Sequence, residues 1–384
     1  MTHELWSTQG VKEPFTNRFH RPSETVWKAP GRVNVIGDHT DYQGGFALAI
    51  AVPYSTWIAA ARREDGIVRA VSDYENTQIV MTASQREQMI EGPRPLSGLA
   101  GFLTAIWDLM EVSDGADLWI GTTLPVASGL SSSAALCLGL LATVSHWQAP
   151  SVSAYSLATL AQQVENRYLG VQTGILDPLA IALAQDGSAL WVNAAQTEGH
   201  SVAFDYARGD QRLWIVDTQS PRILAGGGYQ QRVRETQAAC AELGVDMLSE
   251  AALEDVERLA DPILRSRSYH VLTENQRVLD TIEAASQGHW DRVRTLFWES
   301  HASLSRDYAV STPRLDATVA CLQTLHIGAR LTGAGFGGAV IALGPADQTE
   351  EMEDALGRLY RQEGWGTPAF LPVPMPVRGL ERVG

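Results

Sequence analysis

Cysteine is scarce in this chain. The three that occur, Cys137, Cys240 and Cys321, are widely separated in apolar or helical stretches, with no C-x-x-C spacing and no paired histidines nearby. That arrangement argues against a disulfide scaffold and against a zinc site. Long hydrophobic runs are missing too: the most apolar stretch, Phe46 to Ala61, is broken by Pro53, Tyr54 and Ser55 and is too short for a membrane span. The opening residues, MTHELWSTQGVKEPF, lack the basic-then-apolar pattern of a signal peptide. A reduced, cytoplasmic compartment is the expectation. Positive charge is also short, 29 Lys and Arg against 44 Asp and Glu, which leaves a formal charge of -15. Such a molecule repels nucleic acid and anionic membranes at long range, so any phosphate it binds must be held locally. Backbone N–H groups, helix N-termini and a cation can do this on an acidic protein.

What is present is a globular composition, 45% hydrophobic over 384 residues, enough for one large core or two domains. The first half alternates β-rich runs with Gly and Ser: VNVIG at 33–37, FALAIAV at 46–52, STWIAAA at 55–61 and IVRAV at 67–71. Helical spacing marks 101–110 and 134–144, a longer helix is expected from about Ser153 to Leu169, and another from about Leu176 to Ala184 before the strand-like SALWVN. The second half opens on the strand LWIVDT, turns largely helical from about Gly228 to Leu325, and then reads strand, glycine turn, strand through GARLTGAGFGGAVIALG. A helix over 349–362 and the strand FLPVPM follow. The expected architecture is α+β in two closely packed lobes, 1–200 and 201–384.

Four segments can carry chemistry. In LPVASGLSSSAALCLGLL, 124–141, small residues separate a strand-like lead from a strong helix, so the backbone N–H groups of 128–133 should converge at a helix N-terminus suited to phosphate. It is not a Walker loop, having no lysine, and an ordinary serine N-cap would account for the serines alone. APGRVNVIGDHTDYQGG, 29–45, concentrates Arg32, Asp38, His39 and Asp41 on a strand–loop–strand, either as polyol acceptors or as a solvated acidic hairpin. LTGAGFGGAVIAL, 331–343, has glycines that allow close backbone approach, or that simply make a tight hairpin. In 164–192, Glu165 ends one expected helix and Asp177 precedes Pro178 at the start of another, either as a cap or as a general base kept ionised by Arg32.

Taken in order, these segments resemble the galactokinase branch of the GHMP kinases, the superfamily that also holds homoserine, mevalonate and phosphomevalonate kinases. GRVNVIGDHTDYQGG looks like the galactokinase signature, LPVASGLSSSAA like the superfamily's phosphate motif and LTGAGFGGAVIAL like its third motif. Similarity continues through GVQTGILDP, DTQSPRILAGGGYQQRVRE, HVLTENQRVLD and ESHASLSRDYAVSTPRLDA, from about Ala29 to Leu343. The resemblance implies a two-lobed fold with mixed sheets, a cleft between the lobes, and transfer of the ATP γ-phosphate to the anomeric hydroxyl of galactose. It casts Asp177 as base and Arg32 as its cationic partner. Asp38, His39, Thr40, Asp41 and Tyr229 fall on sugar-binding positions, and Ala127, Ser128, Gly129, Leu130, Ser131, Ser132 and Ser133 on the nucleotide phosphate loop. Ser133 and Glu165 match magnesium positions.

Three departures bear on the sugar and the nucleotide base. Galactokinases usually carry Glu where this chain has Asp38, and one methylene less moves the acceptor by roughly an ångström. The family's MDQ is LDP here, and Pro95 and Gly98 occupy the places of a Trp-x-x-Tyr pattern. A related sugar 1-kinase, acting on galacturonate, N-acetylgalactosamine or arabinose, is therefore the nearest alternative, and a non-catalytic sugar sensor a more distant one. The expected partners are a small sugar and ATP, without nucleic acid or membrane.

Overall fold

Two sheets organise the chain. The computed structural model describes residues 7–125, 129–148, 152–171, 173–220 and 227–384. The first lobe runs α1 (Thr8–Phe19), β1 (Thr25–Ile36), β2 (Phe46–Arg63), β3 (Val68–Ser72), β4 (Gln78–Met81), α2 (Ala83–Glu91) and α3 (Gly98–Leu109). It continues through β5 (Gly115–Thr122), α4 (Ser132–Gln148), α5 (Ala154–Gln163), α6 (Leu176–Leu183), β6 (Ser188–Asn193) and β7 (Glu198–Ala203). Next come β8 (Gln211–Ser220), α7 (Gly228–Leu243), α8 (Pro262–Ser286), α9 (Trp290–Arg306) and α10 (Pro313–Thr324). The chain ends on β9 (Gly328–Thr332), β10 (Gly338–Pro345), α11 (Thr349–Gln362), β11 (Ala369–Val373) and β12 (Glu381–Arg382). Eight strands form the first sheet in the order β12-β1-β2-β5-β3-β4, with β6 and β7 added alongside β2. The second is β11-β8-β10-β9. All pairings are antiparallel except β3 with β5, so the first sheet is mixed.

FALAIAV and STWIAAA, expected as separate strands, are the two ends of β2. Pro53 lies where the register against β1 slips, between the pairs Arg32↔Ala51 and Pro30↔Ser55. On its other edge β2 changes neighbour there, from β6 at 46–49 to β5 at 56–63. A proline is tolerated at such a bulge because no ladder bond is asked of it. The helix expected over 153–169 is α5 followed without a break by a π-helical turn, Val164–Tyr168. Turns of this kind commonly occur at functional sites. Helix α1, which the sequence reading did not assign, shows why short surface helices are hard to read: it contains Gly10 and Pro14, and buries only Val11 and Phe15, one turn apart.

The principal core spans both lobes, joining β1, β2 and α4 to Leu213, Ile215, Ala339 and Ile341 of the second sheet. A second core fills the other face of that sheet, around Trp214, Leu304, Tyr308 and Tyr360. Polar contacts also tie the lobes. Gln43 Nε2 donates to Thr236 Oγ1 at 2.9 Å, the Phe46 N–H to Asn275 Oδ1 at 2.8 Å, and the Gly37 N–H to Glu274 Oε1 at 3.1 Å. These hold the loop after β1 against α7 and α8, which sets the walls of the interlobe cleft. Cys137 and Cys240 are buried, and all three cysteines are free thiols. Among the described residues no helix is long and apolar enough to cross a membrane.

Candidate active site

The cleft, about 270 Å³, is lined from β1 and its following loop by Arg32, Asn34, Asp38, His39, Asp41 and Tyr42. Gly129 to Ser133, Thr173, Gly174, Leu176 and Asp177 form the facing wall, and Tyr229, Gly333 and Ala334 close it from the second lobe. Glycine 31 makes the first junction possible: a Cβ there would stand 2.3 Å from Leu124 Cδ2 and 2.7 Å from the Leu130 carbonyl. The loop before α4 therefore lies directly on β1, and the Arg32 N–H donates to Leu130 O at 3.1 Å.

Arg32 is buried and reaches two places at once. Its Nε and Nη2 donate to Asp177 Oδ1 at 2.6 and 2.5 Å, while Nη1 donates to the Gly129 carbonyl at 2.8 Å. Asp177 sits in the first turn of α6, whose N-cap is Ile175, so the aspartate is free of capping duty. Its second oxygen, Oδ2, accepts a hydrogen bond from Ser131 Oγ. Arg32, Asp177 and the loop before α4 thus form one hydrogen-bonded unit.

Next to it, Ser133 Oγ donates to Glu165 Oε1 at 3.2 Å, and Thr173 Oγ1 donates to Glu165 Oε2 at 2.8 Å. Burial pushes the Glu165 carboxyl up, with Asp177 adding to the rise. This pair fits a magnesium ion, since it offers a hydroxyl and a carboxylate, and that ion prefers one or two such oxygens together with phosphate oxygens and water. Among the described residues no cluster of three or more His, Cys, Asp or Glu forms an all-protein cage.

Asp41 faces the same space. Burial first, and repulsion from Asp177 second, raise its carboxyl from 3.8 to about 6. Gly174 is what admits it: a Cβ at that position would lie 1.7 Å from Asp41 Oδ2. Burial also lowers His39 to about 4, so the ring is neutral at pH 7. Its Nε2 lies 3.2 Å from the Ala334 carbonyl, which only accepts, so Nε2 carries the proton. Nδ1 then accepts from the Tyr42 hydroxyl at 2.9 Å, and Tyr42 accepts in turn from Tyr308 at 2.7 Å. The Tyr229 ring packs on His39 and Tyr42, at centroid distances of 5.7 and 5.5 Å, completing an aromatic wall.

The sequence reading brought most of these residues together, but two take unexpected postures. Thr40 does not line the cleft: it is fully buried, with Oγ1 at 2.9 and 2.7 Å from the carbonyls of Gly37 and Phe46, where it ties the loop to itself. Asp38 lies at the cleft but is committed elsewhere. Its Oδ2 accepts from Arg330 Nη2 at 2.5 Å, and its Oδ1 from Asn34 Nδ2 at 2.7 Å and the Gly333 N–H at 2.8 Å. Arg330 is fully buried and also approaches Glu274 at 3.7 Å, which is paired with Arg277. Ala127 and Ser128 lie outside the described residues. Asn34, Tyr42, Thr173, Gly174, Gly333 and Ala334 were not singled out, although each falls within or beside a motif that was. The buried Arg330 and Glu274, with the half-buried Arg277, gave only the signal of charges set among apolar residues of expected strand and helix.

Comparison with known proteins agrees with this geometry. A galactokinase galactose-binding signature matches residues 13–62, the GHMP kinase N-terminal domain 100–185 and the GHMP kinase C-terminal domain 281–362. A galactokinase of Mycobacterium tuberculosis is 37% identical over 349 residues, 89% of this chain and 94% of the relative. One from Streptomyces coelicolor is 34% identical over 97% of this chain and 98% of its own length. The crystal structure of Lactococcus lactis galactokinase complexed with galactose superposes with a TM-score of 0.90 at 28% identity, covering 98% of this chain and 99% of that one. Mevalonate kinase from Methanococcus jannaschii, 18% identical with a TM-score of 0.62 over 94% of this chain and 99% of its own, shares the fold. With the paired motifs, the two-lobed mixed-sheet fold and these full-length likenesses together, the chain belongs to the galactokinase family of GHMP kinases.

Proposed function

We propose that this chain transfers the γ-phosphate of ATP to the anomeric hydroxyl of galactose, giving galactose 1-phosphate and ADP, in the cytoplasm. The observation that carries the reading is the Arg32–Asp177 pair at the cleft wall, joined through Gly129 and Ser131 to the loop that opens α4. In this reading the sugar oxygen attacks the γ-phosphorus, the bond from that phosphorus to the bridging oxygen breaks, and the hydroxyl proton passes to Asp177. Arg32, bonded to Asp177 through Nε and Nη2, orients its carboxylate and balances charge as the phosphoryl group moves. The loop 127–133 would hold phosphate, with the backbone N–H groups of its described part, Gly129 to Ser133, leading into α4, where the helix dipole favours negative charge. Ser133 and Glu165 would hold magnesium, which supplies neutralisation of phosphate oxygens when bound.

Asp41, neutral His39 and Tyr229 are the sugar-facing groups, and the lobes are taken as 1–200 and 201–384, with β12 returning to the first sheet. Asp38, bonded to Arg330, Asn34 and Gly333, serves the sugar through the shape of the loop rather than through a free acceptor oxygen.

The test is ADP release measured with galactose, galacturonate, N-acetylgalactosamine and arabinose, with and without magnesium. Galactose should give the highest kcat/KM, and turnover of none would reject the sugar-kinase reading. Asp177→Asn should keep sugar binding while lowering kcat by about 10²-fold or more. Unchanged turnover in that variant would remove Asp177 from the role of base.

A further inference from the structure

We infer that Ser131 is a positioning residue for the base, selecting Oδ2 of Asp177 as the oxygen that takes the sugar proton. This rests on the reading of Asp177 as base and deepens it. An ionised carboxylate offers about four lone-pair directions, two on each oxygen. Arg32 directs both Nε and Nη2 at Oδ1, at 2.6 and 2.5 Å, which fills that oxygen. Oδ2 accepts from Ser131 Oγ, and among the described residues no other protein donor reaches it. One lone pair on Oδ2 is therefore left without a donor from the described residues, on a residue that lines the cleft. The two donors, one on each oxygen, also fix the rotation of the carboxylate plane, so the free lone pair has a single direction.

The backbone at Ser131 supports the same conclusion. Its φ is +57°, in the left-handed region that a side-chain-bearing residue seldom adopts. A serine at the head of a helix ordinarily turns its hydroxyl to the N–H groups of the first turn. Here the Ser131 carbonyl starts α4 by accepting from the Ala135 N–H at 3.0 Å, while the hydroxyl is donated sideways to Asp177. A residue placed only for phosphate contact through its backbone would be better filled by glycine, which takes this φ without strain. The serine hydroxyl is the feature that glycine lacks, and its partner is the base.

Ser131→Gly and Ser131→Ala separate hydrogen bonding from backbone strain, since the first relaxes the loop and the second does not. Steady-state kinetics and thermal melting would be measured for both, for Asp177→Asn, and for the double variant Ser131→Gly/Asp177→Asn. Both Ser131 variants should lose about 10- to 100-fold in kcat, the worth of one hydrogen bond to a charged group. Their KM for ATP should stay within about twofold of the parent, and the double variant should match Asp177→Asn, because a residue acting through the base has nothing left to act on. A raised KM for ATP with unchanged kcat, or a double variant slower than Asp177→Asn by the full Ser131 effect, overturns the inference and makes Ser131 a phosphate ligand. Disagreement in kcat between the glycine and alanine variants overturns it in favour of a backbone role. Normal turnover in Asp177→Asn alone refutes the base assignment instead, so the two failures are distinguishable.

Discussion

Removing the Asp38 side chain should cost stability more than it costs sugar recognition. Asp38 and Arg330 are buried to 1% and 0% exposure and lie in different lobes, one on the loop after β1 and the other on β9. Asp38→Ala leaves the guanidinium buried without its nearest counter-charge and frees the donors of Asn34 and Gly333. Breaking a buried ion pair from one side costs about 3–5 kcal/mol. Glu274 Oε1, 3.7 Å from Arg330, retains part of the compensation, which points to the lower end. With an unfolding entropy of about 2.1 cal/mol/K per residue, a chain this long loses roughly 4 °C in Tm if it melts in one step. Scanning calorimetry reads the shift, and titration calorimetry with galactose reads binding, which should weaken by less than about tenfold. The companion variant Asp38→Ala/Arg330→Met removes both charges and should recover much of the loss. An unchanged Tm together with abolished galactose binding would refute the reasoning, because it would make Asp38 a sugar ligand with little part in holding the lobes.

Gly174→Ala places a Cβ where the Asp41 carboxylate now sits, so it should raise the KM for sugar by about tenfold or more while the fold survives, since a flexible side chain end can swing aside; an unchanged KM would separate Asp41 from the sugar. The raised Asp41 carboxyl sets a pH window: ionised above about 6, it accepts sugar hydroxyls, so galactose affinity should fall as pH drops through 6, and Asp41→Asn should abolish that dependence. The stability sign is opposite. A carboxyl raised from 3.8 to about 6 contributes stability that is complete below 3.8 and lost as pH rises through 6, so Asp41→Asn should melt higher than the parent at pH 8 and gain nothing at pH 4.

The architecture was legible where local rules agreed with the tertiary outcome. Apolar runs such as VNVIG and LWIVDT became buried strands of the two sheets, and AALCLGLLATV became a helix whose apolar side chains are nearly all inside. Legibility failed at β2, where Pro53 suggested a break that a bulge and a change of neighbour absorb, and at α1, whose two buried residues are too few to show a period. Within the site, Arg32, Ser133, Glu165 and Asp177 could be named because each stands in or beside a segment that resembles a motif of the family. The posture of Thr40, turned onto its own loop, carried no sequence signature.

Sequence alone determined the residue types available for the chemistry: a carboxylate and an arginine, a lysine-free loop of small residues at a helix start, and an acid-rich loop able to accept hydroxyl hydrogens. Only the tertiary structure decided how these acids divide the work, because hydrogen-bond partners come from distant parts of the chain. Arg330, 292 residues away, claims Asp38 as a tie between lobes, and Ser131, 46 residues away, holds Asp177 with one lone pair free. Two aspartates that both line the cleft thus differ in how they are held, Asp38 with both oxygens bonded across the lobes and Asp177 between Arg32 and Ser131, because partner geometry acts across the fold rather than along the chain.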